Sequence, residues 1–503
     1  MVTQGVLEFQ YQPDTSKTGL TANAGLPLYL DLAFRSGLVE SLRRHLEVRR
    51  GGQGWADEQV VLALVLMNLA GGESVSDLEV LEADEGFSRL LRRVEQHGLG
   101  RRQRREMERR WRKQRERSVP SSSAVFRYLE AFAAAGYVAR MGTARIPAPS
   151  APLLGLRRVN ADLVRYAQQC RPSATATLDM DATLIESNKR EALFCYQGLR
   201  AYQPHNVWWA EQQQMLHTEF GDGNVPAGHE QLRVLKEALA MLPAGVRKVF
   251  LRSDSAGYEQ EMLEYCAEGE HERFKVIEFA VGVDVTAVFR AAVRELKEED
   301  WRPLHREVQG TLVRTEQQWA EVCFVPSWAA KSKKQPEYRF LAIREPLRQP
   351  ALPGMQADLP FPVEQFNAQP YKLFGVVSNR AGDGEEIIRW QRERCGKSEE
   401  AHAVIKQDLA GGRLPSGSFG ENAAWWQIMV LALNLNALFK REALGEGWVG
   451  KQLKALRYAL IGIPGKLVQR SRGLIVRISA RDPAWEVLLR ARGRILALPQ
   501  PAG

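Results

Sequence analysis

Residues 177–190 read TLDMDATLIESNKR, an apolar, β-prone run that carries Asp179 and Asp181 and ends in a Lys-Arg pair. A strand of this composition buries at least one face, and an unpaired buried carboxylate is costly unless a cation neutralises it. Taken alone, the two acids fit an exposed face or a strand end. The rest of the chain decides whether they do more.

At 503 residues, 45% hydrophobic and 26% charged, the chain can bury several cores, and about two to four domains are expected. Cys170, Cys195, Cys266, Cys323 and Cys395 are scattered, with no CxxC pair and no Cys/His cluster at zinc-ligand spacing. That pattern predicts a reducing, cytoplasmic setting and excludes a zinc finger. The start MVTQGVLEFQYQPD lacks the basic opening and apolar core of a signal peptide. No uncharged apolar stretch reads as membrane-spanning. The nearest candidate, Ala423 to Phe439, carries Gln427, Asn434 and Asn436 and reads as a buried core helix.

The net charge of +9 is unevenly spread. Residues 101–117, RRQRREMERRWRKQRER, hold ten Arg/Lys against three Glu, a net +7; from Gly445 onward eleven Arg/Lys face three acids, a net +8. The remainder is therefore about −6. Basic flanks around a mildly acidic middle suit a polyanionic partner, with phosphate bound outside the chemistry.

Periodicity divides the chain into zones. Residues 1–168 read as helical, including WADEQVVLALVLMNLAGG and a helix opening at Pro120 and Ser121. Residues 169–282 alternate strands and helices, as in VRKVFLRSD followed by GYEQEMLEYCAE, and predict an α/β sheet. Residues 283–380 hold short β-like runs and a Pro-rich stretch, an expected β-rich insertion. Residues 381–443 turn helical again, and 444–503 form a basic C-terminal segment.

Two further acidic signals stand out. Asp254 ends the strand VFLRSD, where α/β folds gather ligands, although taken alone Asp254 or Ser255 reads first as the cap of the next turn. In RERCGKSEEAHAVIKQDLAGG, residues 392–412, Arg392, Cys395, Glu399, His402 and Lys406 recur at steps of three and four and share a helical stripe. Asp181, Asp254 and Glu399 thus supply three carboxylates from separate elements. Such a set suits hard divalent cations, Mg²⁺ or Mn²⁺, and two ions about 3.5 to 4 Å apart can drive in-line phosphoryl transfer.

The segments LDMDATLIESNKREALFCYQGLRAYQP, LRSDSAGY and RCGKSEEAHAVIKQDLAGGRLPSGSFGENAAWWQIMVLALNL resemble the DDE transposases of bacterial insertion sequences, most closely the thirteen-eighty family, in the family's motif order. The resemblance implies an α/β ribonuclease H-like core with a β-rich insertion, preceded by an α-helical N-terminal DNA-binding region. Its first acid, in an Asp-x-Thr arrangement, falls on Asp181, with Asp179 as alternate; the second falls on Asp254. The third lies in a Tyr, Arg, Glu, Lys signature that Glu399 and Lys406 match at the correct gap. Arg392 stands at the Tyr position and Cys395 at the Arg position, which keeps Glu400 in play as the acid and leaves Arg392 or Arg394 as the phosphate contact.

The resemblance implies an enzyme that binds terminal inverted repeats, cleaves there and joins the 3′-hydroxyls to target DNA, using two Mg²⁺ or Mn²⁺ ions. Double-stranded DNA is the expected partner, bound through Lys406, Arg392 and the basic run with Arg104, Arg105, Arg109 and Arg110. A homodimer on DNA, in a bacterial cytoplasm at the nucleoid and away from membranes, is the expected working form. The rivals are a metal-dependent nuclease of the same fold, a decayed transposase that only binds DNA, and a glycosidase, which the basic flanks disfavour.

Overall fold

The computed structural model of the protein describes residues 18–48, 54–110, 117–133, 136–308, 310–326, 328, 338–347, 361–367, 369–470 and 473–502, with the backbone alone at 106–110 and 395–399. A short strand β1 (Leu20–Thr21) precedes helices α1 (Pro27–Arg35), α2 (Leu38–His45), α3 (Asp57–Ala70), α4 (Leu78–Ala83), α5 (Glu85–Glu95), α6 (Arg101–Arg110), α7 (Ser122–Leu129) and α8 (Ala151–Cys170). Helix α3 is apolar all round and accordingly buried; it ends at Gly71, whose φ of 107° only glycine adopts readily. Ser121 caps α7, its hydroxyl accepting from the Ala124 amide at 3.4 Å.

The residues from TLDMDATLIESNKR form β2 (Thr175–Ala182) and then β3 (Ile185–Glu186). Ala176, Leu178 and Met180 point into one core, as the two-residue period of a strand requires, which turns Thr177, Asp179 and Asp181 to the opposite face. A hairpin of β4 (Leu193–Phe194) and β5 (Arg200–Tyr202) follows, then β6 (His205–Trp209), β7 (Gln214–Glu219), α9 (Gln231–Met241), β8 (Lys248–Ser253), α10 (Gln260–Ala267), β9 (Glu278–Gly282) and α11 (Ala287–Arg294). Strands β10 (Arg302–Val308), β11 (Thr311–Val322), β12 (Arg339–Pro346), β13 (Val363–Phe366) and β14 (Gln369–Ser378) continue the same sheet.

That ten-stranded mixed sheet runs β10-β11-β12-β14-β9-β8-β2-β6-β7, with β13 on β14. Its centre is parallel, β2 beside β8 and β8 beside β9, and the other pairings are antiparallel. Helix α12 (Gly384–Ala403) crosses the face that carries Asp179 and Asp181, held by Ile387 and Ile388 against Trp319, Leu341 and Ile343.

Helix α13 (Phe419–Leu438) is the core helix expected from Ala423 to Phe439. Its polar groups are partnered: Asn434 donates to Asn160 at 2.8 Å and accepts from the Met215 amide at 2.8 Å, and Asn436 accepts from the Tyr29 hydroxyl at 2.7 Å. Among the described residues no single helix is long and apolar enough to cross a membrane. Helices α14 (Glu446–Val449) and α15 (Leu453–Leu456), the hairpin β15 (Gly465–Arg470) with β16 (Gly473–Arg477), and α16 (Ala484–Ala497) close the chain. Strand β15 pairs with β1, so the two ends of the sequence share one core with α13.

Candidate active site

Parallel pairing brings the first two acids together. Met180 of β2 stands in register with Ser253 of β8, so the next residue along each strand, Asp181 and Asp254, emerges at the same carboxyl end. Asp254 opens a tight turn and accepts from the Ala256 amide at 3.0 Å. Thr183, Asp254 and Asp284 line an open cleft of about 1000 Å³. Asp284 follows β9, the next parallel strand, and is not among the acids that the sequence motifs mark. The available signal was the same one that marked Asp254, an acid just past a buried strand. Burial raises the Asp284 carboxyl above its ordinary range, as does Asp254, while the Ser255 hydroxyl opposes the shift.

Asp181 is mostly buried, and its carboxyl is pushed up to about 6, first by burial and then by repulsion from Asp254, with Arg394 pulling it back. Arg394 Nη1 lies 3.0 Å from Asp181 Oδ2, and His402 Nδ1 lies 3.7 Å from the same oxygen. Helix α12 therefore passes Asp181 between Arg394 and His402, and Glu399 lies on that segment; its side chain, like that of Cys395, falls outside the described residues. Glu400 is exposed, and its charge acts on Lys440 beyond α13. Lys406 Nζ reaches the Thr183 hydroxyl at 3.4 Å, and burial lowers its pKa.

Arg392 turns elsewhere, donating to Gln317 of β11 at 2.7 Å, so the helical stripe splits between the sheet extension and Asp181. Asp179 is held by Arg252 through two hydrogen bonds, 2.6 and 2.9 Å, with both side chains buried. This pairing gives Asp179 a neutralising partner inside the sheet. In the basic run, Arg104 donates to the Leu99 carbonyl at 2.9 Å and Arg105 is exposed; the side chains of Arg109 and Arg110 lie outside the described residues.

The donors at Asp181 and Asp254 are hard oxygens, and their mutual repulsion is what a divalent cation relieves, so these residues fit Mg²⁺ or Mn²⁺. A second group, His217, Glu219 and Glu237, is compact enough for an ion. Arg157 and Arg233 already neutralise it, at 2.8 Å and 3.0 Å from Glu219. Against the cost of burial, His217 and Arg233 draw the Glu237 carboxyl down to about 2.

No protein of curated function matches the chain. Among solved structures the chain is similar to the piggyBac transposase in a synaptic complex with hairpin DNA, at 11% identity and a TM-score of 0.41, over 87% of this chain and 79% of that one. The family described as "Transposase DDE domain group 1" matches residues 14–500. With that match running nearly end to end, the chain belongs to the DDE transposases and is a DNA-cleaving transposase enzyme.

Proposed function

We propose that the protein is the transposase of a bacterial insertion sequence, of the thirteen-eighty family, acting on the terminal inverted repeats of its own element. The observation that carries this reading is the emergence of Asp181 and Asp254, in step, from adjacent parallel strands beside an open cleft. The order β7-β6-β2-β8-β9, with β2, β8 and β9 parallel, supports a ribonuclease H-like core. In this reading 1–168 is the helical DNA-binding region, 169–282 and 381–443 form the core, 283–380 is its β-rich insertion and 444–503 is a basic tail segment.

Asp181, Asp254 and Glu399 would hold Mg²⁺ or Mn²⁺, which supplies the Lewis acidity that activates water or a 3′-hydroxyl and stabilises the departing oxygen. Lys406, placed against Thr183 of the cleft, would contact the phosphate next to the scissile bond. Arg394, at 3.0 Å from Asp181, is better placed for a phosphate than Arg392, which is engaged with Gln317. The basic run, with Arg104, Arg105, Arg109 and Arg110, would track the DNA backbone. Two element ends must be joined, so the working form would be a homodimer on double-stranded DNA in the bacterial cytoplasm.

The test reads cleavage of intact element ends and, beside it, strand transfer of pre-cleaved ends into a plasmid target, both in Mg²⁺. Joined product supports a transposase; metal-dependent cleavage without joining shifts the reading to a nuclease of the same fold. Binding with neither reaction leaves a protein that only occupies DNA.

A further inference from the structure

Asp181, Asn206 and Thr218 form a transverse row across three strands: Asp181 faces Asn206 between β2 and β6, and Asn206 faces Thr218 between β6 and β7. Trp426 of α13 closes one end of the row, and His402 near the end of α12 meets its middle member and its first. The four residues other than Asp181 are buried, His402 the most exposed of them at 7%.

The hydrogen bonds run in one direction along the row, starting from the indole. An indole N–H only donates, and Trp426 Nε1 gives its proton to Thr218 Oγ1 at 2.8 Å. The hydroxyl gives its single proton to Asn206 Oδ1 at 2.6 Å. Asn206 therefore presents its amide N–H to His402 Nε2 at 3.1 Å. Since an amide nitrogen cannot accept, Nε2 must, and the ring carries its proton on Nδ1. That nitrogen is the one facing Asp181 Oδ2, at 3.7 Å. The spacing is longer than a hydrogen bond, so what is fixed is an aimed donor.

We infer that His402 is a positioning residue for Asp181, its ring locked by Trp426, Thr218 and Asn206 so that the Nδ1 proton always faces the carboxylate. The inference rests on Asp181 serving as a metal ligand. Groups that orient a ligating carboxylate through hydrogen bonds are worth about 10 to 100-fold in metal affinity or activity.

The experiment compares His402→Asn and His402→Gln. An asparagine amide falls near the place of Nδ1, whereas a glutamine amide falls near that of Nε2. Mn²⁺ affinity of the full chain is read by electron paramagnetic resonance titration, with melting temperature alongside, against wild type and Asp181→Asn. Expected is a loss of about tenfold or more for His402→Gln, a loss under about threefold for His402→Asn, and closely similar melting temperatures. Thr218→Val, which frees Asn206 to flip, should weaken Mn²⁺ binding in the same direction. If His402→Gln binds Mn²⁺ as wild type does while Asp181→Asn does not, His402 has no positioning role. Equal losses in both His402 variants with lowered melting temperatures would make the residue a packing element, and that too overturns the inference. If wild type and Asp181→Asn bind Mn²⁺ alike, the metal reading of Asp181 fails and this inference falls with it.

Discussion

Arg252 and Asp179, directly opposed in register on the parallel strands β8 and β2, form a buried two-pronged ion pair with Nε to Oδ1 at 2.6 Å and Nη2 to Oδ2 at 2.9 Å. Arg252 Nη1 also donates to the Trp390 carbonyl at 2.9 Å and to Glu393 at 3.1 Å, so the same guanidinium fastens α12 to the sheet. Asp179→Ala strands this cation in the interior and should cost about 3 to 5 kcal/mol in urea unfolding. A loss under about 1 kcal/mol would mean the pair is not a structural tie.

Asp181 should behave in the opposite sense. Its carboxyl is pushed up to about 6 in the fold, above its ordinary range, so the folded state holds the proton more tightly than the unfolded chain does. Ionisation therefore costs stability, and that cost grows as pH rises from about 4 to 6 and is fully present above. In chelator, Asp181→Asn should be more stable than wild type at pH 8 by about 1 to 3 kcal/mol, the difference closing as pH falls to about 4. Denaturant melts of both proteins across that range check it. A difference that widens in acid would reverse the sign and remove burial and Asp254 as its cause.

Metal affinity should follow the same group. Only the ionised carboxylate is a ligand, so Mn²⁺ binding should weaken by up to about tenfold per pH unit below 6 if one proton is released on binding. Isothermal titration in buffers of differing ionisation heat counts that proton. Binding unchanged between pH 7 and 5 would place the ion away from Asp181.

The basic run should supply affinity without chemistry. Each phosphate contact adds about 0.9 to the slope of log affinity against log salt. Replacing Arg104, Arg105, Arg109 and Arg110 with Ala should weaken binding to specific and unrelated DNA by similar factors and flatten the slope by about one unit per lost contact. Gel shifts at several salt concentrations read both. An unchanged slope would move the phosphate contacts to the basic segment beyond Gly445.

Residue types and short-range pattern make much of this arrangement legible. The switch from helical to strand period near residue 169 locates the sheet, and acids at the ends of apolar strands locate Asp181 and Asp254. The buried helix near Ala423 is legible because its few polar groups are amides, which a core can satisfy. What escapes is pairing at long range. Asp179 differs from Asp181 only because Arg252, 73 residues away, is its neighbour across the sheet. The same holds for Arg392 and Arg394, two residues apart on one helix, which face Gln317 and Asp181. Asp284 joins the cleft through the pairing of β9 with β8, and β1 meets β15 across almost the whole chain.

The central claim is that cleavage is carried by metal held at Asp181, Asp254 and Glu399, and single-turnover nicking of a labelled element end tests it most directly. Asp181→Asn, Asp254→Asn and Glu399→Gln should each lower the Mg²⁺-dependent rate by at least about a thousandfold, while gel-shift affinity for the same DNA stays within about threefold of wild type. Glu400→Gln should cut normally. Nicking at the wild-type rate by Asp181→Asn or Asp254→Asn, in protein that binds the end normally, would contradict the account.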